Sequence, residues 1–385
     1  MNSLRNHEVV VIGGGVMGCT AAYFLACEGR DVALVERAAQ VGTEASGRNA
    51  GGIRQNKRHP AELPMAMASV KLWQFFRDEL RGPFEYEQNG NIALATSEEE
   101  VRALEAEAVR LQGQGLDVRH VRGADLKELC PNLSDTVLAA NYCPTDGFAN
   151  PILAIRFIAQ CARERGVTIY LETQVTGLAM RGGRITAVQT NQGEVATEAV
   201  VNTTGPWANE IAAMVGGRLP FVPRPTQLAV TLPMPPVLRQ WISGDMVYVR
   251  PTQAGNLLVG GGGPRDPMGF ARENTHSRIH RFAVNGARIF PPLKRTSMVR
   301  AWAGILAISP DGLAIIDRMP GVENMVFATG CSGTGFCTGP GTGKTLAEMI
   351  QGRVPTIPID GLRLSRFPAD LDFEAAYQRQ SQPEP

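Results

Sequence analysis

The chain is poor in the residues that build metal or redox centres. Its seven cysteines (Cys19, Cys27, Cys130, Cys143, Cys161, Cys331 and Cys337) include no C-x-x-C pair and no zinc or iron–sulfur spacing, and their number is odd. They read as reduced thiols of a cytoplasmic protein, with no metal site expected. No run of about 18 unbroken apolar residues occurs, so no membrane span is expected. The polar stretch from Met1 to His7 leads straight into the apolar Glu8–Ile12, which leaves no room for a signal-peptide core. Lys and Arg number 38 against 37 Asp and Glu, with no basic block, so there is no electrostatic footprint for nucleic acid. Histidine is scarce as well, with five in 385 residues. What remains is an ordinary globular composition, 44% hydrophobic and 19% charged, long enough for two domains and best matched to a small-molecule partner.

Local patterning places α/β material at both ends. Val9–Ile12 is a β-branched run, Gly13–Gly18 a glycine turn, Cys19–Gly29 an Ala-rich helix and Asp31–Glu36 a second strand, the βαβ opening of a doubly wound sheet. Helices are expected at 61–80, 97–112 (started by Ser97 and Glu98–Glu100) and 151–165. Strands are expected at 91–95, 168–171, 185–189 and 198–202. Proline-rich segments at 220–225 and 233–236 mark a change of architecture, with strands following at 246–250 and 256–260. The last third returns to a strand at 325–329, a glycine turn, and a helix over 341–350 that begins near Pro340. Dinucleotide-like pieces at the start, middle and end fit two interleaved domains, with a frayed tail from about Gln378.

The most informative motif is Gly13-Gly14-Gly15-Val16-Met17-Gly18, which follows a strand, opens a helix and is answered by Glu36. Gly13 permits the tight turn, Gly15 lets backbone N–H groups approach a pyrophosphate, and Gly18 lets the helix pack closely. Glu36 can accept hydrogen bonds from an adenosine ribose. On this motif alone NAD and FAD are both open. Gly339-Pro340-Gly341-Thr342-Gly343-Lys344-Thr345 looks like a triphosphate P-loop. That template needs glycine where Thr338 stands, and too few residues follow for the strands such a fold adds.

The loop Ala45-Ser46-Gly47-Arg48-Asn49-Ala50-Gly51-Gly52-Ile53-Arg54 resembles the one lying along the flavin in the D-amino-acid oxidase, glycine oxidase and sarcosine oxidase superfamily. So do Val200–Ala208, with Thr204, Gly205 and Trp207, and the C-terminal Gly330-Cys331-Ser332-Gly333-Thr334-Gly335-Phe336. The similarity runs nearly end to end and favours FAD. It implies a Rossmann-like FAD domain (1–83, 144–219 and 302–370) interleaved with a substrate domain on a mostly antiparallel sheet (84–143 and 220–301), then a tail (371–385). Beyond the fingerprint residues, it implies cofactor contacts at Arg37, Ser46, Arg48, Asn49, Ala50, Gly51, Gly52, Val175 and Gly304. The N-terminus of the last helix would stabilise charge developing on reduced flavin.

On the substrate side the resemblance points to Tyr248, in Val247–Pro251, as a carboxylate contact; cross-strand packing is the other reading of that tyrosine. Several family residues are replaced. The carboxylate-clamping arginine falls at Leu306, the flavin-tethering cysteine at Gly304, and the sarcosine oxidase carboxylate lysine at Cys337. Arg54, Lys57 and Arg250 are left as carboxylate candidates, and the flavin is expected to be non-covalent. The oxygen-activating lysine aligns at Leu257 or Leu258, which points to a dehydrogenase that hands electrons to a partner subunit or a quinone. The Cys-Ser-Gly and Gly-Pro-Gly wording most resembles FAD-bearing β-like subunits of amino-acid dehydrogenases acting on hydroxyproline, opines, sarcosine or glycine. The expected reaction is oxidation of the C–N bond of a small amino acid. A 2-hydroxy-acid dehydrogenase, for which only His59 lies near a cofactor motif, and a non-catalytic FAD-holding subunit are the alternatives.

Overall fold

The structure, a computed structural model, describes residues 4–261 and 268–381. Its organising element is the strand His7–Ile12, whose β-branched side chains are buried on both faces, as a central parallel strand requires. Val9 and Val11 point into one core and Val10 and Ile12 into the other. Each such buried side chain contributes roughly 1.5–3 kcal/mol. The strand pairs in parallel with Val32–Val35 on one side and Gly193–Asn202 on the other. Thr168–Tyr170 and Met325–Thr329 extend the parallel set, Ile315–Arg318 closes one edge, and Val175–Arg181 with Arg184–Thr190 runs antiparallel off Gly193–Asn202. The helices Val16–Cys27, Pro151–Glu164 and Gly335–Ile350 share the core on one face of this eight-stranded sheet.

A second eight-stranded sheet runs in the spatial order Met298–Ile308, Val222–Pro233, Asn256–Gly261, Val247–Pro251, Trp241–Gly244, Asn91–Ala95, Ala139–Cys143, Arg119–Arg122. All its pairings are antiparallel except that between Trp241–Gly244 and Asn91–Ala95. The helix His276–Ile289 covers one face through Phe282 and Ile289, packed with Ile92, Val249 and Val259. The architecture is the expected α/β combination of a Rossmann-like sheet and a mostly antiparallel one. Among the described residues no helix is long and apolar enough to cross a membrane.

Three expectations shift. The boundary expected at 301/302 falls inside the strand Met298–Ile308, which belongs to the second sheet along its length. The tail is not frayed at Gln378: a helix runs over Phe373–Ser381, and Phe373 and Tyr377 pack on Val222 and Ile308.

The helix expected to begin near Pro340 begins at Gly335 and runs to Ile350, with Pro340 in its interior. Proline there removes a backbone donor and disturbs the hydrogen-bond ladder, and neighbouring side chains occupy the exposed groups. Trp73 Nε1 donates to the Cys337 carbonyl (3.0 Å), Gly341 N donates to Ser69 Oγ (3.0 Å), and Thr20 Oγ1 donates to the Gly339 carbonyl (3.2 Å). The P-loop-like glycines therefore serve packing. A Cβ on Gly343 would stand 2.2 Å from Thr20 Oγ1, so the helices Val16–Cys27 and Gly335–Ile350 approach at distances only glycine allows.

Candidate active site

A cleft of about 790 Å³ opens where the strand His7–Ile12 meets its glycine turn, lined by Gly13, Gly15, Glu36, Arg37, Ser46, Val175, Thr204, Gly205 and Trp207. Gly13 has φ +105°, and a Cβ there would sit 2.9 Å from the Thr203 carbonyl oxygen. Gly15 caps the helix Val16–Cys27 without a side-chain hydrogen bond, so the positive helix end faces the cleft. Glu36 follows the second strand, and its carboxylate accepts from Gly14 N (2.7 Å) and Ala38 N (2.9 Å). These bonds fix its oxygens at the cleft wall with lone pairs to spare for hydroxyl donors. Arg37 stacks 4.1 Å above Trp207, closing the far end.

The same floor continues into a second cleft of about 620 Å³, lined by Gly15, Val16, Met17, Ser46, Asn49, Thr203, Leu306, Gly330, Gly333, Gly335 and Phe336. Gly15, Ser46, Thr203 and Gly205 line both, so the two form one elongated groove. Backbone amides, glycines and a helix end whose first N–H, of Val16, rests on Ser46 Oγ (3.1 Å) make a cradle suited to a dinucleotide: one end is acidic for a ribose, and the other is apolar and faces the start of the helix Gly335–Ile350. Leu306 Cδ1 lies 3.9 Å from where a Gly333 Cβ would be.

Other expected cofactor residues brace this wall. A Cβ on Gly18 would stand 1.9 Å from the Gly13 carbonyl oxygen, so Gly18 sets the helix-to-turn distance. Arg48 Nε donates to the Thr43 carbonyl (2.9 Å), and the Arg48 carbonyl accepts from Trp302 Nε1 (3.1 Å). Gly304 leaves room for Arg48, whose Cβ lies 3.1 Å from a Cβ placed there. Gly51, at φ +75°, donates its N–H to Asn49 Oδ1, and Gly52 pairs with Phe148. The Ala50 carbonyl accepts from Arg250 Nε. Thr334 stands at the N-cap of the helix Gly335–Ile350, and its hydroxyl lies 2.7 Å from Glu62 Oε1.

Arg54, Lys57 and Tyr248 come together in a third cavity, bounded also by Ser243, Asp245, Glu100 and Glu107. Trp241 links two of them, stacking on Tyr248 at 4.8 Å between ring centroids and carrying the Arg54 guanidinium 4.8 Å from its own. Burial pulls the Arg54 ionisation down to about 10 and pushes that of the Tyr248 phenol up, so the phenol stays protonated near neutral pH. Arg54 Nε is buried with no hydrogen-bond partner, whereas nearby Arg58 is paired with Glu62 at 3.4 Å.

Arg250 is placed differently from the expectation. It is 6% exposed, bonds the Ala50 and Pro251 carbonyls, and stacks 5.0 Å from Phe148. It ties the second sheet to the loop that carries Ala50 instead of offering a free edge to the cavity. His59 is exposed, with Nδ1 accepting the Ala61 N–H, and lines none of these clefts. Residues not singled out by sequence also converge here: Trp241, Asp146 and Phe148. Asp146 is fully buried and accepts the N–H groups of Gln55 (2.7 Å) and Asn56 (3.1 Å). The only local hint of its role is its place in the turn Thr145-Asp146-Gly147, a residue type that binds neighbouring amides.

A family model described as DAO, FAD dependent oxidoreductase, matches residues 8–349. The β subunit of sarcosine oxidase from Arthrobacter sp is 29% identical over 356 residues, covering 90% of this chain and 87% of that protein. Among solved structures, L-proline dehydrogenase from P. horikoshii superposes with a TM-score of 0.89 at 30% identity, covering 94% of this chain and 98% of that one. Glycine oxidase from Geobacillus kaustophilus gives 0.88 at 25% identity, covering 95% and 100%.

Proposed function

The chain belongs to the DAO family of FAD-dependent oxidoreductases, and from that membership we propose that it oxidises the C–N bond of a small amino acid, a secondary amine or a D-amino acid, to an imine that water hydrolyses. The observation that carries this reading is the half-buried Arg54, its Nε buried and unpartnered, held against Trp241 and beside Tyr248. FAD supplies the two-electron acceptor for the hydride leaving the substrate carbon, and Gly13, Gly15, Glu36, Ser46, Val175 and the turn Gly330–Phe336 would hold it. Gly304 supports a non-covalent flavin, because Arg48 fills the space a tethering side chain would need.

The residues of this chain do the binding and the drying. Arg54 pairs with the substrate carboxylate, and the protonated Tyr248 hydroxyl donates to it. Trp241 and Leu258 pack with Tyr248 into an apolar cluster that excludes water and favours the neutral amine. Hydride loss from a neutral amine needs no dedicated side-chain base, which accords with the lack of histidine here.

Leu257 and Leu258, both buried, stand where an oxygen-activating lysine is expected. This supports a dehydrogenase whose electrons go to a partner subunit or a quinone, and kinship with a protein named as a β subunit supports the partner. Seven unpaired cysteines support a reducing, cytoplasmic setting.

The test is an anaerobic absorbance titration of the flavin-loaded protein with sarcosine, glycine, D-proline, cis-4-hydroxy-D-proline and an opine, followed by air. Bleaching by one of these amines with slow recovery is expected. Fast recovery in air would make the protein an oxidase, and no bleaching by any amine would favour a non-catalytic FAD-holding subunit.

A further inference from the structure

Arg54 is fixed through its peptide groups. Its N–H donates to the Cys337 sulfur and its carbonyl accepts the Cys337 S–H, both at 3.2 Å. The same carbonyl accepts a second bond from Arg58 Nε at 3.0 Å. Cys337 is 1% exposed and sits in the first turn of the helix Gly335–Ile350, where its own carbonyl is held by Trp73 Nε1. Burial raises the ionisation of this thiol, so it remains S–H, able to donate and accept at once. The next two N–H groups, of Gln55 and Asn56, end on Asp146. Three consecutive amides are thus anchored to buried side chains from remote parts of the chain.

We propose that Cys337 is a positioning residue: its thiol clamps the Arg54 peptide to the helix whose first turn walls the flavin-side cleft, so that the guanidinium stands ready for the substrate carboxylate. This rests on Arg54 as the carboxylate holder. A guanidinium on a long flexible stem loses much rotamer entropy on ordering. Anchoring the backbone and stacking the head on Trp241 meets part of that cost before substrate arrives. Phe336, one residue earlier, lines the flavin-side cleft, so a shift of this turn would move both walls together.

The test compares C337A, C337S and R54A in the flavin-loaded protein. It measures KM, kcat and flavin content, and the Kd of propionate from the flavin absorbance change. C337A is expected to raise KM and the propionate Kd about tenfold, the scale of one to two lost hydrogen bonds, with kcat changed less than about twofold. C337S, which keeps a donor and an acceptor, is expected to recover most of the loss. KM and Kd unchanged in C337A while R54A raises both would overturn the proposal, as would a fall in kcat and flavin content with KM unmoved. If R54A also leaves KM and Kd unchanged, the reading of Arg54 itself fails. Should C337A lose its flavin, C337V, close in volume and unable to hydrogen-bond, is read in its place by the same criteria.

Discussion

The groove above the strand His7–Ile12 is walled by backbone, and the cavity beside Trp241 by side chains. In the first, glycines at 13, 15, 330, 333 and 335 bring amides to the surface, with Glu36 and Arg37 at one end. In the second, a half-buried cation and phenol meet on a buried indole, and the cation's peptide is held by hydrogen bonds from a distant segment. A backbone wall tolerates little change in shape but recognises a ligand through groups every residue carries. A side-chain wall can be retuned one residue at a time.

Substitutions should separate the two walls by what they break. The largest effect is expected from G18A on the backbone wall, because a Cβ there meets the Gly13 carbonyl oxygen at 1.9 Å. FAD affinity should fall about 100-fold, near the upper range of overpacking costs, read from the fluorescence of released FAD. R54A should leave FAD in place and raise KM by about 10–100-fold, the loss of a charge-assisted pair; equal loss of flavin and of KM would erase the distinction between the walls. R250A should lower stability by about 2 kcal/mol through its lost carbonyl bonds and packing on Phe148, seen as a lower Tm with KM little changed. Y248F, losing one hydroxyl donor, should raise KM about fivefold to tenfold.

The smallest effect concerns the thiols. Iodoacetamide at pH 8 should modify exposed Cys27 and spare Cys331 and Cys337 in mass spectra. Burial pushes the Cys331 thiol up to about 12, so its reactive thiolate forms only as pH climbs toward that value.

The backbone wall is also the half that can be read from sequence. Gly13 to Gly18 act within six consecutive residues, and Glu36 reaches Gly14 from only 22 positions away, so local spacing carries their geometry. The side-chain wall depends on pairs such as Arg54 with Cys337, 283 residues apart, and Gln55 with Asp146, 91 apart. No local pattern encodes those meetings. Arg54 and Tyr248 are readable as candidates through the resemblance to the oxidase superfamily, but Trp241 and Asp146 become visible only once folding places them. Arg250 looks equivalent to Arg54 in sequence, and only its two carbonyl partners reveal a structural task. The start of the helix Gly335–Ile350 is misread for a related reason. Pro340 and its glycines are breakers in isolation, and it takes Ser69, Trp73 and Thr20, far upstream, to make a helix of them.

The strand His7–Ile12 has neighbours at Gly193–Asn202, and that strand in turn pairs with Met325–Thr329. On a ribosome adding roughly 5–20 residues per second, about 15–65 s separate the emergence of the first of these strands from that of the last. For roughly the first 10–40 s of that interval, until Gly193–Asn202 is made, the edge of His7–Ile12 away from Val32–Val35 is open to water, and afterwards the far edge of Gly193–Asn202 waits for Met325–Thr329, the kind of surface that recruits holdase chaperones and seeds aggregates. Yield in a heterologous host should therefore respond to slower growth temperature and chaperone supply more than to any substitution on the finished surface.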